Sequence, residues 1–94
     1  MEQTNRIDVK TAVNTAIRYL QDFQDMIPVT DLRLEETEFS DSGEWLITLS
    51  TAEDRASGIA AALGTTRRNY KQFQIDATTG EVKSMKVRTL VPIT

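Results

Sequence analysis

The feature that most restricts this chain is an apolar stripe at helical spacing near its start, followed by a change of period. Over residues 8–26, Val9, Ala12, Val13, Ala16, Ile17, Leu20 and Phe23 recur three or four positions apart, and Ile27 continues the row. Such steps return side chains to one side of a helix, so these residues form one broad face. Lys10, Thr11, Asn14, Arg18, Gln21, Asp22 and Asp25 take the other side. Asn5 or Asp8 can cap the start, and Pro28 pushes Ile27 out of helical geometry. Asp22 and Asp25 stand at the C-terminal end, where the macrodipole disfavours carboxylates. A helix with one apolar face must lay it on a second layer, and the period of two that follows makes that layer a sheet.

Residues 29–39 start the alternation, with Leu32 and Leu34 set against Arg33 and Glu35. Continued strictly, it would put Glu36 and Glu38 on the leucine face. A bulge near Glu35 and Glu36 would reverse the parity and bring Thr37 and Phe39 inward. Asp41-Ser42-Gly43-Glu44 has the composition of a turn, after which Trp45, Ile47 and Leu49 alternate with Leu46, Thr48 and Ser50. Residues 70–77 read as a strand with Phe73, Ile75 and Ala77 on one face. Ala77-Thr78-Thr79-Gly80 turns the chain, with glycine where positive φ is needed. Residues 82–91 return with Met85, Val87 and Val91 inward and Lys83, Lys86 and Arg88 toward solvent, until Pro92 ends the ladder.

Residues 51–66 are irregular: a charged Glu53-Asp54-Arg55, a Ser57-Gly58 break, then Ile59-Ala60-Ala61-Ala62-Leu63 before Gly64. This connection is either a mobile hairpin loop or a loop carrying a helical turn with Ile59 and Leu63 on one side. The 94 residues are too few for two cores, so residues 1–94 form a single α+β domain. The expected architecture is one N-terminal amphipathic helix packed on a four-stranded antiparallel meander sheet.

The hairpin Tyr70-Lys71-Gln72-Phe73-Gln74-Ile75-Asp76-Ala77-Thr78-Thr79-Gly80-Glu81-Val82 resembles that of PepSY-like domains. In that family two strands flank an aspartate, a threonine-rich turn and a Gly-Glu-Val. Trp45-Leu46-Ile47-Thr48-Leu49 is similar to the strand that precedes the hairpin there. The resemblance covers roughly the C-terminal quarter of the chain. It implies a cystatin-like fold and a non-catalytic inhibitory or regulatory module. Small bacterial proteins of unknown role, and small immunity proteins that bind one toxin, also look like this.

The chain contains neither cysteine nor histidine. A thiol nucleophile, a cysteine metal cage and the commonest acid–base group are therefore excluded, and a serine or threonine nucleophile would need lysine as its base. Gly58 and Gly64 are not followed by the Gly-Lys-Ser/Thr of a phosphate loop. No enzyme activity and no cofactor are expected. Glu35, Glu36, Glu38 and Asp41 could attract a hard cation, but alternation along a strand splits them between faces, so a solvated or edge-protecting acidic strand is the simpler reading. The polar N-terminus lacks the apolar core of a signal peptide and no apolar run could cross a bilayer, which points to the cytoplasm and away from membranes.

The net charge of −3 conceals an asymmetry. Residues 21–45 hold eight acids and one base, and residues 67–88 six bases and two acids. Either acidic strands lie beside basic ones and pair with them, or the surface is dipolar and steers a charged partner. Arg67, Arg68, Lys71 and Lys83 with Tyr70 and Phe73 could suit nucleic acid, but the acidic balance of the chain argues against it. A protein partner or self-association is the leading expectation, with Ile59, Leu63, Arg67, Arg68 and Tyr70 as candidate contacts. The alternative is a carrier of a small ligand held between helix and sheet.

Overall fold

The computed structural model describes residues 6–27, 29–52 and 68–88. One helix, α1 (Val9–Gln21), precedes four strands, β1 (Arg33–Phe39), β2 (Glu44–Ala52), β3 (Arg68–Asp76) and β4 (Val82–Arg88). The strands form one sheet in the order β1-β2-β3-β4, and every neighbouring pair is antiparallel. This is the α+β meander that the switch of period implied.

Asp8 caps α1, its Oδ1 accepting from the Thr11 amide at 2.9 Å. The helix stops at Gln21, five residues short of the apolar stripe's end at Met26. Beyond it the amides of Phe23, Gln24 and Met26 donate to carbonyls three residues back, so the chain tightens into turns. Asp22 and Asp25 oppose the helix dipole there, which accounts for the early stop. Phe23 still reaches Tyr19, with ring centroids 5.3 Å apart.

The helix packs on β2, β3 and β4. Ala12, Ala16 and Leu20 meet Ile47, Leu49, Phe73 and Ile75, all of them buried to 1% exposure or less. Two alanines in the contact row let the helix sit close to the strands. Ile7 locks the near end, its amide donating to the Ala77 carbonyl at 2.8 Å while its carbonyl accepts from Trp45 Nε1 at 3.0 Å.

The sheet carries two bulges. The first falls between Leu34 and Glu36 and leaves Glu35 unpaired in the register, where the broken alternation placed it. Thr37 and Phe39 then oppose Ile47 and Trp45, on the helix side. They are not buried, because the helix does not extend over β1 and all seven residues of that strand are exposed. The second bulge leaves Lys83 as the extra residue between Val82 and Ser84. Met85 packs against the core, but Val87 is 78% exposed rather than inward. Val87 opposes Lys71 rather than an apolar residue, so among the described residues its strand end has no apolar cross-strand partner on β3.

Asp76 organises the β3–β4 turn. Its Oδ1 accepts from the amides of Thr78 and Thr79 at 2.8 and 2.9 Å, and Gly80 takes φ +77°. The side chain thereby replaces the ladder partners that the turn lacks.

Candidate interaction surface

Antiparallel partners share a face, so the register sorts every side chain. The helix-free side carries Arg33, Glu36 and Glu38 of β1, Glu44, Leu46, Thr48, Ser50 and Ala52 of β2, Arg68, Tyr70, Gln72, Gln74 and Asp76 of β3, and Ser84, Lys86 and Arg88 of β4. This polar face is closely packed: Glu44, Thr48 and Ser50 are 5%, 2% and 1% exposed. Two hydrogen-bonded networks hold it.

Arg68 centres the first, at the start of β3. Its Nη1 donates to Asp31 Oδ2 at 2.9 Å and its Nη2 to the Asp31 carbonyl. Its Nε donates to Ser50 Oγ at 2.9 Å, and that hydroxyl donates on to Glu35 Oε2 at 2.7 Å. The bulge residue of β1 is thus tied to β3 through a β2 serine. Asp31 stands at φ +51°, a conformation that aspartate tolerates better than most residues. Hydrogen bonding to Arg68 holds its carboxyl below the usual range, helped by the charge of Arg33.

The second network lies at the other end. Glu44 accepts from Lys83 Nζ at 2.5 Å and from Gln74 Nε2, while Ser84 Oγ donates to Gln74 Oε1 at 3.1 Å. Lys83 foremost, then Gln74, depress the Glu44 carboxyl, and Glu44 in turn raises the Lys83 ammonium. The bulge that displaces Lys83 is what lets it reach across β3 to Glu44.

The charge asymmetry resolves into two parts. Asp31, Glu35 and Glu44 do pair with bases from the C-terminal half. The remaining strand charges do not lie side by side. Strand β1, with Glu35, Glu36 and Glu38, forms one edge of the sheet, and β4, with Lys83, Lys86 and Arg88, forms the other. Among the described residues no ion pair engages Glu36, Glu38, Lys86 or Arg88. Exposed apolar groups accompany them on the helix side: Leu34 and Phe39 on β1, 50% and 38% exposed, and Val87 on β4. Phe39 is braced by Trp45, ring to ring at 5.0 Å, and by the Arg6 guanidinium 4.7 Å from its centroid.

Of the contacts expected from sequence, Ile59, Leu63 and Arg67 lie outside the described residues. Arg68 and Tyr70 come together on the helix-free face. The Arg68 side chain is only 10% exposed and is engaged within the chain, whereas Tyr70 is half-buried between Ser50 and Arg88. The edge residues Glu36, Glu38, Lys86, Arg88 and Val87 were not among those candidates. Their charge was legible, but their position at opposite edges follows from strand order alone. No group of three or more metal-ligating side chains gathers among the described residues, and no helix there is long and apolar enough to cross a membrane. No family model matches the chain, and no curated protein or solved structure matches it either.

Proposed function

We propose that this chain is a non-catalytic, cytoplasmic protein-interaction module that binds an extended, basic segment of its partner along the β1 edge. One observation carries the reading: β1 is an edge strand exposed at all seven positions, with the unpaired acids Glu36 and Glu38 and the exposed apolar side chains Leu34 and Phe39, its one base, Arg33, being paired with Asp31. An edge strand offers a row of main-chain donors and acceptors to any strand laid beside it, and side chains choose which strand. Acids at Glu36 and Glu38 select basic side chains on the helix-free side, and Leu34 and Phe39 select apolar ones on the other. A sequence without cysteine or histidine suits binding better than catalysis, and the lack of cysteine suits a reducing compartment. The resemblance of the hairpin to PepSY-like domains supports an inhibitory or regulatory role. Ile59, Leu63 and Arg67 remain candidates for a second contact with the same partner.

The test is fluorescence anisotropy with a labelled peptide alternating lysine and valine. Binding to the wild type, lost with an alternating glutamate–valine peptide and with the Glu36→Lys/Glu38→Lys variant, is the expected result. Equal binding of both peptides, or of one peptide to wild type and variant alike, would overturn the reading.

A further inference from the structure

The two edges of this sheet complement each other, and that names a partner. A β1 edge meeting another β1 in the register that opposes Glu36 to Glu38 would set acid against acid, and two β4 edges would set Lys86 and Arg88 against bases. Pairing β1 with β4 sets Glu36 and Glu38, which no described residue neutralises, against the bases Lys86 and Arg88.

The strand order allows it. Strands alternate in direction across β1-β2-β3-β4, so β4 of one copy and β1 of the next run antiparallel when both helices lie on the same side. A register opposing Glu36 to Arg88 also opposes Glu38 to Lys86, because antiparallel partners have a constant sum. It sets Thr37 against Val87 and Phe39 against Met85 on the helix side, in agreement with the face each residue already occupies. The exposed Phe39 would then lie beside Met85, and Val87 beside Thr37. In this register four residues of each strand, 36–39 and 85–88, pair.

We infer that a second copy of this chain is a partner of the β1 edge, docking its own β4 there in a head-to-tail continuation of the sheet. The inference rests on the proposed use of β1 as the binding edge and deepens it. Such a contact is heterologous, so each added copy leaves one acidic and one basic edge free, and assembly runs on or closes into a ring. The interface is narrow and charged. Association is therefore weak, growing with concentration and fading as salt screens it.

Sedimentation of the full chain tests this with two charge reversals, Glu36→Lys/Glu38→Lys and Lys86→Glu/Arg88→Glu. Wild-type average mass should rise with concentration at low salt and fall back with added salt. Each variant alone should associate about tenfold more weakly or worse, since its two edges now carry like charge. Mixed in equal amounts, the variants should associate again, because the basic β1 of one faces the acidic β4 of the other. Circular dichroism of each variant confirms that the helix is retained, and recovery on mixing itself requires folded chains. A wild type that stays monomeric at low salt, or folded variants that do not recover on mixing, would overturn the inference. A monomeric chain that still binds the lysine–valine peptide would sink self-pairing and leave binding by β1 standing. A chain that does neither would sink both.

Discussion

The two faces of β2 are buried to almost the same depth by unrelated means. On the helix side Ile47, Leu49, Phe73 and Ile75 lose their water to Ala12, Ala16 and Leu20. On the other side no helix among the described residues covers Thr48, Ser50 and Glu44, and the long side chains of Arg68, Gln74 and Lys83 lie across the strands. The apolar face draws its stability from area and from close packing, which has no direction. The polar face draws it from hydrogen bonds that need each partner in place, so removing one leaves the others unsatisfied. That difference also explains where binding can occur. Among the described residues both faces of β2 are occupied, whereas the edge strand β1 is exposed throughout and the end of β4 is exposed as well.

Truncating each face in turn separates the two mechanisms. Phe73→Ala empties the centre of the helix side and should cost about 3–5 kcal/mol in chemical denaturation, a large share of a small domain's stability. Arg68→Ala removes the hub of the polar network and should cost about 2–3 kcal/mol, with Arg68→Lys recovering little because an ammonium cannot reproduce the fork. A cost for Arg68→Ala as small as that of an ordinary exposed arginine would break the comparison.

Acid should discriminate between the faces as well. The carboxyls of Asp31, Glu44 and Asp76 are held below their ordinary values of 3.8, 4.5 and 3.8 by their hydrogen bonds. A depressed carboxylate contributes stability that is present above its ordinary value and lost as pH falls below it. The melting temperature should therefore be level near neutrality and drop as pH falls through and below those values. Lys83 is raised above 10.5, so its share persists below that pH and disappears only above it. Arg68→Ala should shrink the acid loss by removing the main cause at Asp31, whereas Phe73→Ala should leave the pH dependence intact. The smallest effect should come from the edge: Glu36→Lys/Glu38→Lys should shift stability by no more than ~0.5 kcal/mol while abolishing peptide binding.

Much of this architecture is legible in the residues. The spacing from Val9 to Phe23 demands a helix, and the alternations around Ile47 and Phe73 demand strands. Strict alternation would put Glu36 and Glu38 on the face of Leu34, and that conflict places the first bulge. Local pattern is less informative where a distant group decides. The pairing of Arg68 with Asp31 spans 37 positions and depends on a turn residue at positive φ, so no period announces it. Val87 carries the alternation of a buried strand but lies opposite Lys71, so the pattern alone could not reveal its exposure. Opposite charge at opposite edges depends on strand order in the same way. Composition shows the asymmetry, and only topology turns it into two complementary borders.

The most direct test of binding through β1 is amide hydrogen exchange, residue by residue, with and without the lysine–valine peptide. The outward-facing amides of Arg33–Phe39 should slow markedly on adding peptide, while those of β2 and β3, already paired on both sides, stay unchanged. Exchange in β1 that is unaltered by a peptide shown to bind would contradict the account.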